Sequence, residues 1–544
     1  MSGHRASPLI LAVLATSAFQ VHSQSAEALE HRRVDLIVQS SRNDESRPLR
    51  DIAPIAPSTE RRGRPVREHR IPFNDGPELE ADPLLATSQG RSSVAGAAAA
   101  AGPAAPTLGT GVDGVGNGFV GPAGAMTVNS APPDTTGAVG ATQYVQWVNT
   151  AFAVFNKSTK AAVYGPADGK TLWSGFGGPC ETRNDGDPVV QYDKMANRWV
   201  VSQFSVPGGT AGYWQCIAVS TTNDATGTWY RYAFQYTQFN DFPKMGVWPD
   251  AYYVSYNMFT STFQGSTVCA IDRAKMLTGL PATQQCIKLA STYGSTLPAD
   301  LDGPAPAAGT PNYVVARATN SVNLWRMKVD WATPANTLLS GPVNVPVASF
   351  SAACSGGTCI TQPGTNNKLD SLADRLNFRA AYRTLNGGTL LLNHAVSTGS
   401  KRAALAAVRW YELRNVAPTG TPALYQQGTF GGGDGVHRWM GSIGQDSLGN
   451  IAVAYSASGS ALHPSLRMAS RVPTDALGTL KDESVLKAGS GAQTGNLTRW
   501  GDYSQVSVDP VDDCTFWATN EYIKTNGSFN WNTWISSFKL PGCN

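Results

Sequence analysis

Acidic and basic side chains recur at the starts of successive segments of this chain, each about sixty residues long. The acidic candidates are Asp187, Asp241, Asp374, Asp502 and Glu521, and the basic candidates are Arg375, His394, His437, Arg438 and Arg499. Two carboxyl groups that flank a sugar bond can hydrolyse it when the surroundings hold one of them protonated. Asp187, Asp502 and Glu521 could supply such a pair.

Proton abstraction from a uronic acid is a second chemistry that these residues could support. His437 or His394 would act as the base, and Arg438 or Arg499 would neutralise the carboxylate of the substrate. We therefore assign catalysis to His437, Asp502 and Glu521. Substrate binding is assigned to Asp187, Asp241, Asp374, Arg375, His394, Arg438 and Arg499.

Metal binding is a third use of the acidic residues. Asp185 and Asp187 together would suit calcium, because hard cations take oxygen ligands. Zinc is not expected, since the chain contains no CxxC pair. No cofactor is firmly predicted, and calcium is the one metal considered.

The elements that must position these residues follow a two-residue hydrophobic period. Residues 187–193 and 197–202 match 438–446 and 450–456 in their order of polar start, apolar strand, tight turn and second aromatic strand. Seven such units begin at Asp134, Asp187, Asp241, Asp302, Asp374, His437 and Arg499. This pattern predicts an all-β fold, a seven-bladed β-propeller of four-stranded antiparallel blades. A β-sandwich, the alternative, would show turn signals about every eight to twelve residues and no sixty-residue repeat.

The innermost strands of a propeller all start at one face, so the seven starts should converge on one end of the central channel. The first five units start with aspartate, whereas the last two start with His437-Arg438 and Arg499. We therefore expect a basic sector that faces a longer acidic arc. The alternative is structural, because Asp, His and Arg near strand starts also tie adjacent blades together by hydrogen bonds and ion pairs.

Closure of the ring requires the last blade to be joined to the first, which avoids an open edge. The final unit has three clear strands, at 505–508, 515–522 and 533–540. We expect its fourth strand to come from the chain before Asp134, near residues 125–128.

Two segments precede the propeller, which we place at residues 111–544. Residues 1–23 have the basic start, apolar run and small residues of a signal peptide. Residues 24–110 alternate charge clusters with alanine, proline and glycine, which predicts a disordered linker or a removable pro-segment that blocks a site until cleavage. The apolar run is too short to span a bilayer, so we expect a secreted or periplasmic protein without membrane insertion.

All eight cysteines lie beyond the signal peptide, and an even number in an exported chain favours disulfides. We pair sequence neighbours, which are Cys180 with Cys216, Cys269 with Cys286, Cys354 with Cys359, and Cys514 with Cys543. The net charge of +3 is too small to predict a nucleic-acid partner. A monomer is expected.

Four motifs resemble those of secreted bacterial β-propeller proteins that have no established activity. They are Pro-Pro-Asp-Thr-Thr-Gly-Ala-Val-Gly at 132–140, Asn-Asp-Gly-Asp-Pro at 184–188, His-Arg-Trp-Met-Gly-Ser-Ile at 437–443 and Arg-Trp-Gly-Asp-Tyr-Ser at 499–504. The resemblance spans most of residues 125–544. It implies the seven-bladed architecture and no particular reaction.

The strand pattern is also distantly similar to that of sialidases. Asn-Asp-Ala-Thr-Gly-Thr-Trp at 223–229 resembles the Asp-box turn of that family, but it occurs once. Arg-Ile-Pro occurs at 70–72, before the propeller, and neither the arginine triad nor the tyrosine nucleophile of the family can be placed. Sialidase activity is therefore not carried over.

The leading functional prediction is a secreted propeller that binds a glycan in a polar funnel at the central channel and cleaves it, as a glycoside hydrolase or a polysaccharide lyase. The alternative is a non-catalytic secreted propeller that recognises polysaccharide or protein at the cell surface. Fold alone does not separate these functions, because propellers carry unrelated activities.

Overall fold

A computed structural model describes Met1, Gly3, residues 30–59, His69, residues 71–72, 78–85, 105–399 and 404–543. Before the ring of sheets, the described residues form seven short strands and one 3-10 helix (Leu49–Asp51). The strands are β1 (His31–Arg33), β2 (Leu36–Gln39), β3 (Arg42–Glu45), β4 (Thr107–Leu108), β5 (Val112–Asp113), β6 (Val120–Gly121) and β7 (Gly124–Ala125).

The chain from Thr136 to Pro346 forms four successive groups of antiparallel strands. The first two groups contain β8 (Thr136–Val139), β9 (Gln143–Val148), β10 (Ala151–Asn156) and β11 (Ala162–Asp168), then β12 (Gly186–Asp193), β13 (Arg198–Ser205), β14 (Tyr213–Ser220) and β15 (Trp229–Tyr236). The next two contain β16 (Phe239–Val247), β17 (Tyr252–Phe259), β18 (Phe263–Ile271) and β19 (Thr283–Lys288), then β20 (Leu297–Leu301), β21 (Asn312–Ala318), β22 (Ser321–Lys328) and β23 (Leu338–Pro346).

A hairpin of β24 (Thr358–Ile360) and β25 (Leu369–Asp370) precedes three further groups. These contain β26 (Ala380–Arg383), β27 (Thr389–Ser397), β28 (Ala406–Arg414) and β29 (Ala423–Phe430), then β30 (Val436–Gln445), β31 (Ile451–Gly459), β32 (Leu462–Arg471) and β33 (Lys481–Lys487), and finally β34 (Gln505–Val508), β35 (Phe516–Tyr522) and β36 (Asn532–Lys539). Two four-residue helices, α1 (Pro179–Thr182) and α2 (Arg273–Met276), and further 3-10 turns lie in the connections. The 3-10 turns span Gly169–Trp173, Gly209–Ala211, Pro334–Asn336, Ala353–Gly356 and Leu385–Gly387.

The first strands of these groups contact one another in chain order, from β8 through β12, β16, β20, β26 and β30 to β34, and β34 returns to β8. This closed ring with antiparallel strands running outward is a β-propeller, so the all-β propeller prediction is confirmed. The number of blades stays a prediction, which the seven groups of strands support. Apolar residues between neighbouring sheets form the core, as where Val506 and Phe516 pack with Leu466 and Met468.

As expected, residues that precede the ring add strands to the last sheet, but they are residues 107–108 and 112–113 and not residues 125–128. β36 pairs with β4 and β5, and Val112 lies opposite Ile535. Residues 125–128 do not supply this strand, because Ala125 pairs with Val120 in a separate two-stranded hairpin. The outer edge of the last sheet is thereby covered by backbone pairing.

The structure differs from the prediction of a disordered segment at 24–110, because residues 30–59 are ordered along the outside of the ring. β3 pairs with β15 and β2 with β19, so each adds a fifth strand to a sheet, and β1 pairs with β23 at the edge of the nine-stranded sheet that also contains β26–β29. The exposed edge of a sheet offers unpaired N–H and C=O groups that accept a strand with few apolar side chains. Composition therefore underestimated the order of this segment. The predicted signal peptide at 1–23 lies almost entirely outside the described residues.

Four disulfides join the predicted pairs, which are Cys180–Cys216, Cys269–Cys286, Cys354–Cys359 and Cys514–Cys543. In the described part of the chain, no helix has the length and apolar character that a membrane span requires.

Candidate active site

Two innermost strands carry a bulge where they start. The pairing of β12 with β13 shifts between Gly186 and Val189, and the pairing of β16 with β17 shifts between Asp241 and Lys244. A bulge inserts an unpaired residue and re-aims the neighbouring side chains. These two bulges direct Asp187 and Asp241 toward the mouth of the central channel.

Asp134, just before β8, and Asp187 both have left-handed backbone conformations, with φ of 45° and 48°. Non-glycine residues adopt this conformation at an energetic cost of roughly 1–3 kcal/mol, so the surrounding structure must impose it. The same conformation occurs at Phe242, Leu372 and Met440. The left-handed backbone conformation therefore recurs around the ring, and aspartates occupy two of these positions, Asp134 and Asp187.

A cavity of about 50 Å³ lies where these strands start. Four aspartates from different strands face it, and we call this space the carboxylate cavity. Its lining residues are Asp134, Asp187, Asp241, Asp502, Arg375, Arg499, His69, Phe204, Phe239 and Phe242. The repeat thus brings together the predicted residues Asp187, Asp241, Arg375, Arg499 and Asp502.

Hydrogen bonds fix the side chain of Asp134 between the first and last sheets. Its Oδ1 accepts the backbone N–H of Asp502 at 2.6 Å, and its Oδ2 accepts the Asn149 amide at 2.6 Å. The side-chain Oδ1 of Asn149 in turn accepts a hydrogen bond from the backbone N–H of Asp187 at 2.9 Å. Asp134 and Asn149 therefore set the relative positions of Asp187 and Asp502.

The carboxylate cavity favours protonated carboxyl groups. Burial raises the pKa of Asp187 to about 7, and the charge of Asp241 adds to the effect. Burial likewise raises the pKa of Asp241 to about 7, although Arg375 opposes it. The pKa of Asp134 lies well above its ordinary value, first because of burial and then because of Asp502 and Asp187. Three of the four aspartates can therefore hold a proton near neutral pH.

Three cations lie among the carboxylates but do not balance them. The Lys244 ammonium is buried, 3.7 Å from the ring centroid of Phe242 and 3.8 Å from that of Tyr503. Burial lowers the pKa of Lys244 to about 8, against the opposing effect of the carboxylates. Arg499 pairs with Asp502 and, at 3.0 Å, with Asp370.

The third cation, Arg375, is paired with the neighbouring carboxylate of Asp374 at 2.6 Å. Its guanidinium carbon lies 4.6 Å from the centroid of the Phe242 ring. Asp374 is thus a partner of the cavity-lining Arg375 and does not itself line the cavity.

Glu521 lies behind the cavity. Its side chain is buried, Oε2 accepts the Gly501 N–H at 2.8 Å, and Oε1 has no hydrogen-bond partner among the described residues. Burial raises its pKa well above the ordinary value, and Asp134 and Asp370 add to this. Glu521 is therefore held neutral behind the cavity wall, and the structure does not bring it into the cavity lining as a catalytic residue.

The two histidines predicted for the site lie elsewhere. His437 is buried, its Nδ1 accepts the Ala406 N–H at 3.1 Å, and burial together with Lys368 lowers its pKa to about 4. His394 Nε2 lies 2.8 Å from the Tyr411 hydroxyl, and burial lowers its pKa well below the ordinary value. Neither lines the carboxylate cavity, so the structure does not bring these two histidines together with Asp187 and Asp502, and their predicted roles stay predictions.

Arg438 is also outside the cavity. It pairs with Glu483 on β33 of its own sheet at 2.8 Å and with Asp434 in the loop before β30 at 2.6 Å. The predicted basic sector of the mouth is therefore not formed by Arg438, and Arg499 enters the cavity paired to carboxylates.

The possible calcium pair is also divided. Asp185 pairs with Arg183 at 2.6 Å and accepts the Val206 N–H at 2.8 Å, whereas Asp187 lines the cavity. Among the described residues, only Asp446, Cys514 and Cys543 place three metal-ligand atoms close together, and both of those cysteines are in a disulfide. The calcium hypothesis thus receives no support from the arrangement of these side chains.

A second, larger opening lies beside the carboxylate cavity, and we call it the polar pocket. It has a volume of about 380 Å³ and is lined by Thr358, Thr365, Asn366, Asn367, Lys368, Gly495, Asn496 and Thr498. Asp370, which pairs with Arg499, donates its N–H to the Thr498 carbonyl at 2.9 Å. The two openings therefore share a wall.

Sequence reasoning did not assign Asp134, Lys244 or His69 to the site. Asp134 and Lys244 lie at or near unit starts, so the repeat placed both at the rim of the channel without giving either a role. His69 lies in the segment predicted to be disordered, and nothing in its surrounding composition indicates a contact with the ring.

Comparisons with known proteins give no family. No family model matches the chain, and no curated protein sequence matches it. Solved structures that resemble it include a polysaccharide lyase (10% identity, 80% of this chain and 99% of that chain, TM-score 0.35). An exo-β-1,3-galactanase from Phanerochaete chrysosporium shows 11% identity over 79% of this chain and 98% of its own, with a TM-score of 0.29.

The WD40 domain of SCAP from fission yeast shows a similarly weak likeness, with 9% identity over 74% of this chain and 82% of its own and a TM-score of 0.29. Likenesses at this level identify no activity. The function must be derived from the chemistry of the site itself.

Proposed function

We propose that the protein is an exported glycoside hydrolase whose active site is the carboxylate cavity. The observation that carries this proposal is the contrast between two kinds of carboxyl group in one cavity. Asp187 and Asp241 have pKa values raised to about 7, while Asp502 forms an ion pair with Arg499. A protonated and an ionised carboxyl group side by side are what acid–base cleavage of a glycosidic bond requires.

In this proposal Asp187 is the general acid, which protonates the departing sugar oxygen. Burial, the largest cause of its raised pKa, keeps its proton in place near neutral pH. Asp502, ion-paired with Arg499, is the anionic partner that activates water or attacks the sugar carbon. Asp134 and Asn149 are positioning residues, because their hydrogen bonds hold the backbone of both groups.

Features around the cavity favour a sugar as the substrate. Phe204 and Phe239 supply apolar ring surface beside the carboxylates, on which a pyranose can stack. The adjacent polar pocket contributes amide and hydroxyl groups, which match the hydroxyls of further sugar units. Lyase chemistry is less well supported, since Arg375 and Arg499 are each held by a carboxylate of the protein.

Export is part of the proposal because all eight cysteines form disulfides, which persist in oxidising compartments. A polysaccharide outside the cytoplasm is the partner that such a location and site would meet.

The test is release of reducing ends from a panel of polysaccharides. Because His69 lines the cavity, both the unaltered chain and His69→Ala are assayed. In the active form, Asp187→Asn should reduce turnover about 10²–10⁴-fold, whereas Asp51→Asn, an exposed aspartate far from the ring centre, should not. Binding of a polysaccharide with no turnover in either form would instead support a non-catalytic binding propeller.

A further inference from the structure

His69 sits in the mouth of the carboxylate cavity although it belongs to the segment that precedes the ring. Its ring centroid lies 5.0 Å from that of Phe239 and 5.3 Å from that of Phe259. Its Nδ1 is 3.9 Å from Asp241 Oδ2. The side chain of a residue outside the ring thus contacts a carboxylate of the candidate active site.

The chain is anchored to the ring before His69. β1, β2 and β3 pair with the outer strands of three successive sheets, and the Ile55 carbonyl accepts the Asp168 N–H at 2.8 Å. The Ser58 carbonyl then accepts the Asn129 amide at 2.6 Å, close to the start of the first sheet. These contacts lead from the outside of the ring, at β1, β2 and β3, to the residues just before the first sheet.

The chain is anchored again after His69. Ile71 is buried against Gly294, which lies just before an innermost strand. Asp82 pairs with Arg409 at 2.6 Å, and both side chains are completely buried. Breaking a buried ion pair leaves an uncompensated charge, so this contact holds the segment firmly.

The space that remains is too small for a sugar. The cavity measures about 50 Å³, whereas pockets for small molecules usually measure about 300–1,000 Å³. A pyranose ring can reach Asp187 and Asp502 only if something at the mouth moves. Of the lining residues, His69 alone comes from outside the ring.

We propose that His69, Ile71, Pro72 and residues 78–85 form an inhibitory strap that closes the carboxylate cavity, and that substrate is admitted when the strap is displaced. The strap is a built-in regulator of the proposed hydrolase, and its biological meaning rests on that function. The buried pair of Asp82 and Arg409 can stay in place while the part of the strap around His69 moves away from the mouth. Cleavage within the segment would make the opening irreversible.

The occlusion can be tested without any glycan. The full chain is treated with a water-soluble carbodiimide and glycine ethyl ester, and amide formation at Asp241 and Asp187 is followed by mass spectrometry. His69→Ala should label Asp241 about tenfold faster or more than the unaltered chain, because the local opening that the reagent needs is already present. The exposed Asp51 serves as the internal reference.

Two matched variants separate the strap from general effects. His31→Ala removes an exposed histidine of the same segment on β1 and should leave labelling of Asp241 unchanged. His69→Phe keeps an aromatic ring between Phe239 and Phe259 and should keep the cavity closed. Labelling of Asp241 that is equally fast in the unaltered chain and in His69→Ala would overturn the strap. Fast labelling of His69→Ala without polysaccharide cleavage would leave the strap intact and count against the hydrolase.

Discussion

The backbone N–H of Asp502 donates a hydrogen bond of 2.6 Å to Asp134 Oδ1, so the last sheet of the ring meets the first at the candidate active site. The proposed anionic group therefore depends for its position on a residue at the other end of the propeller sequence. The same hydrogen bond therefore links the last sheet to the first and positions the proposed catalytic Asp502.

Replacement of Asp134 tests this connection. Asp134→Ala leaves the Asp502 N–H and the Asn149 amide without their acceptor, and each unsatisfied buried group costs about 1–3 kcal/mol. We expect a lower melting temperature and a loss of kcat, because Asp502 is no longer held. Asp134→Asn keeps one acceptor oxygen, so it should retain more of both. Equal melting temperatures and equal kcat for Asp134→Ala and the unaltered chain would show that Asp134 positions nothing.

The raised pKa values of Asp187 and Asp241 predict a pH dependence of stability. In the fold both groups hold their protons up to about pH 7, while in the unfolded chain they lose them near the ordinary value of 3.8. The folded state thus binds more protons between these limits, and its stability from this source falls as pH rises through about 7. The melting temperature of the unaltered chain should drop more between about pH 5 and pH 8 than that of Asp187→Asn. Parallel curves for the two proteins would contradict the raised pKa of Asp187.

Gln505 is predicted to be a main stabiliser of the closed ring. Its Oε1 accepts hydrogen bonds from the Thr136 hydroxyl at 2.5 Å and from the Gly137 N–H at 3.0 Å. Its Nε2 donates a hydrogen bond to the Val190 carbonyl at 3.0 Å. Gln505→Leu leaves these buried groups unsatisfied, so the free energy of unfolding should fall by about 2–4 kcal/mol. Gln264→Leu, whose amide bonds only the nearby Thr262, is the control and should change it by less than about 0.5 kcal/mol. If Gln505→Leu and Gln264→Leu change the free energy of unfolding by similar amounts, Gln505 is not a main stabiliser of the closed ring.

The buried pair of Asp82 and Arg409 predicts that the N-terminal segment contributes to stability. Asp82→Ala removes the partner of a fully buried guanidinium, and loss of one member of such a pair typically costs about 3–5 kcal/mol. Denaturant unfolding should show this loss, and hydrogen exchange at residues 78–85 should become faster. An unchanged exchange rate in Asp82→Ala would mean that this contact does not hold the segment.

The sixty-residue repeat was enough to bring Asp187, Asp241 and Asp502 together, because it located the starts of the innermost strands. His437 lies outside the cavity because the counterpart of Asp187 in that strand is Met440, which has the same left-handed backbone with φ of 50°. His437 lies three residues earlier, outside the bulge between Trp439 and Ser442. The bulge position depends on backbone geometry that a pattern of polar residues does not specify.

Order in the N-terminal segment was missed for a different reason. Strand pairing by β1, β2 and β3 uses backbone groups, and its charged side chains find partners on the ring, as Asp44 does with Arg231 at 2.7 Å. Neither contact leaves a signature of apolar residues in the sequence. His69 belongs to the same segment, so its contact with the cavity was missed for the same reason.

The central claim is that Asp502 and Asp187 cleave a glycosidic bond once the mouth is open. Its most direct measurement is kcat for release of reducing ends by His69→Ala, compared with the double variants that add Asp502→Asn or Asp187→Asn. The account predicts turnover by His69→Ala and a fall of about 10²–10⁴-fold in each double variant, measured at a temperature where both double variants remain folded. Full turnover by a folded double variant would contradict the account. So would a His69→Ala protein in which Asp241 is labelled rapidly by carbodiimide but which releases no reducing ends from any polysaccharide.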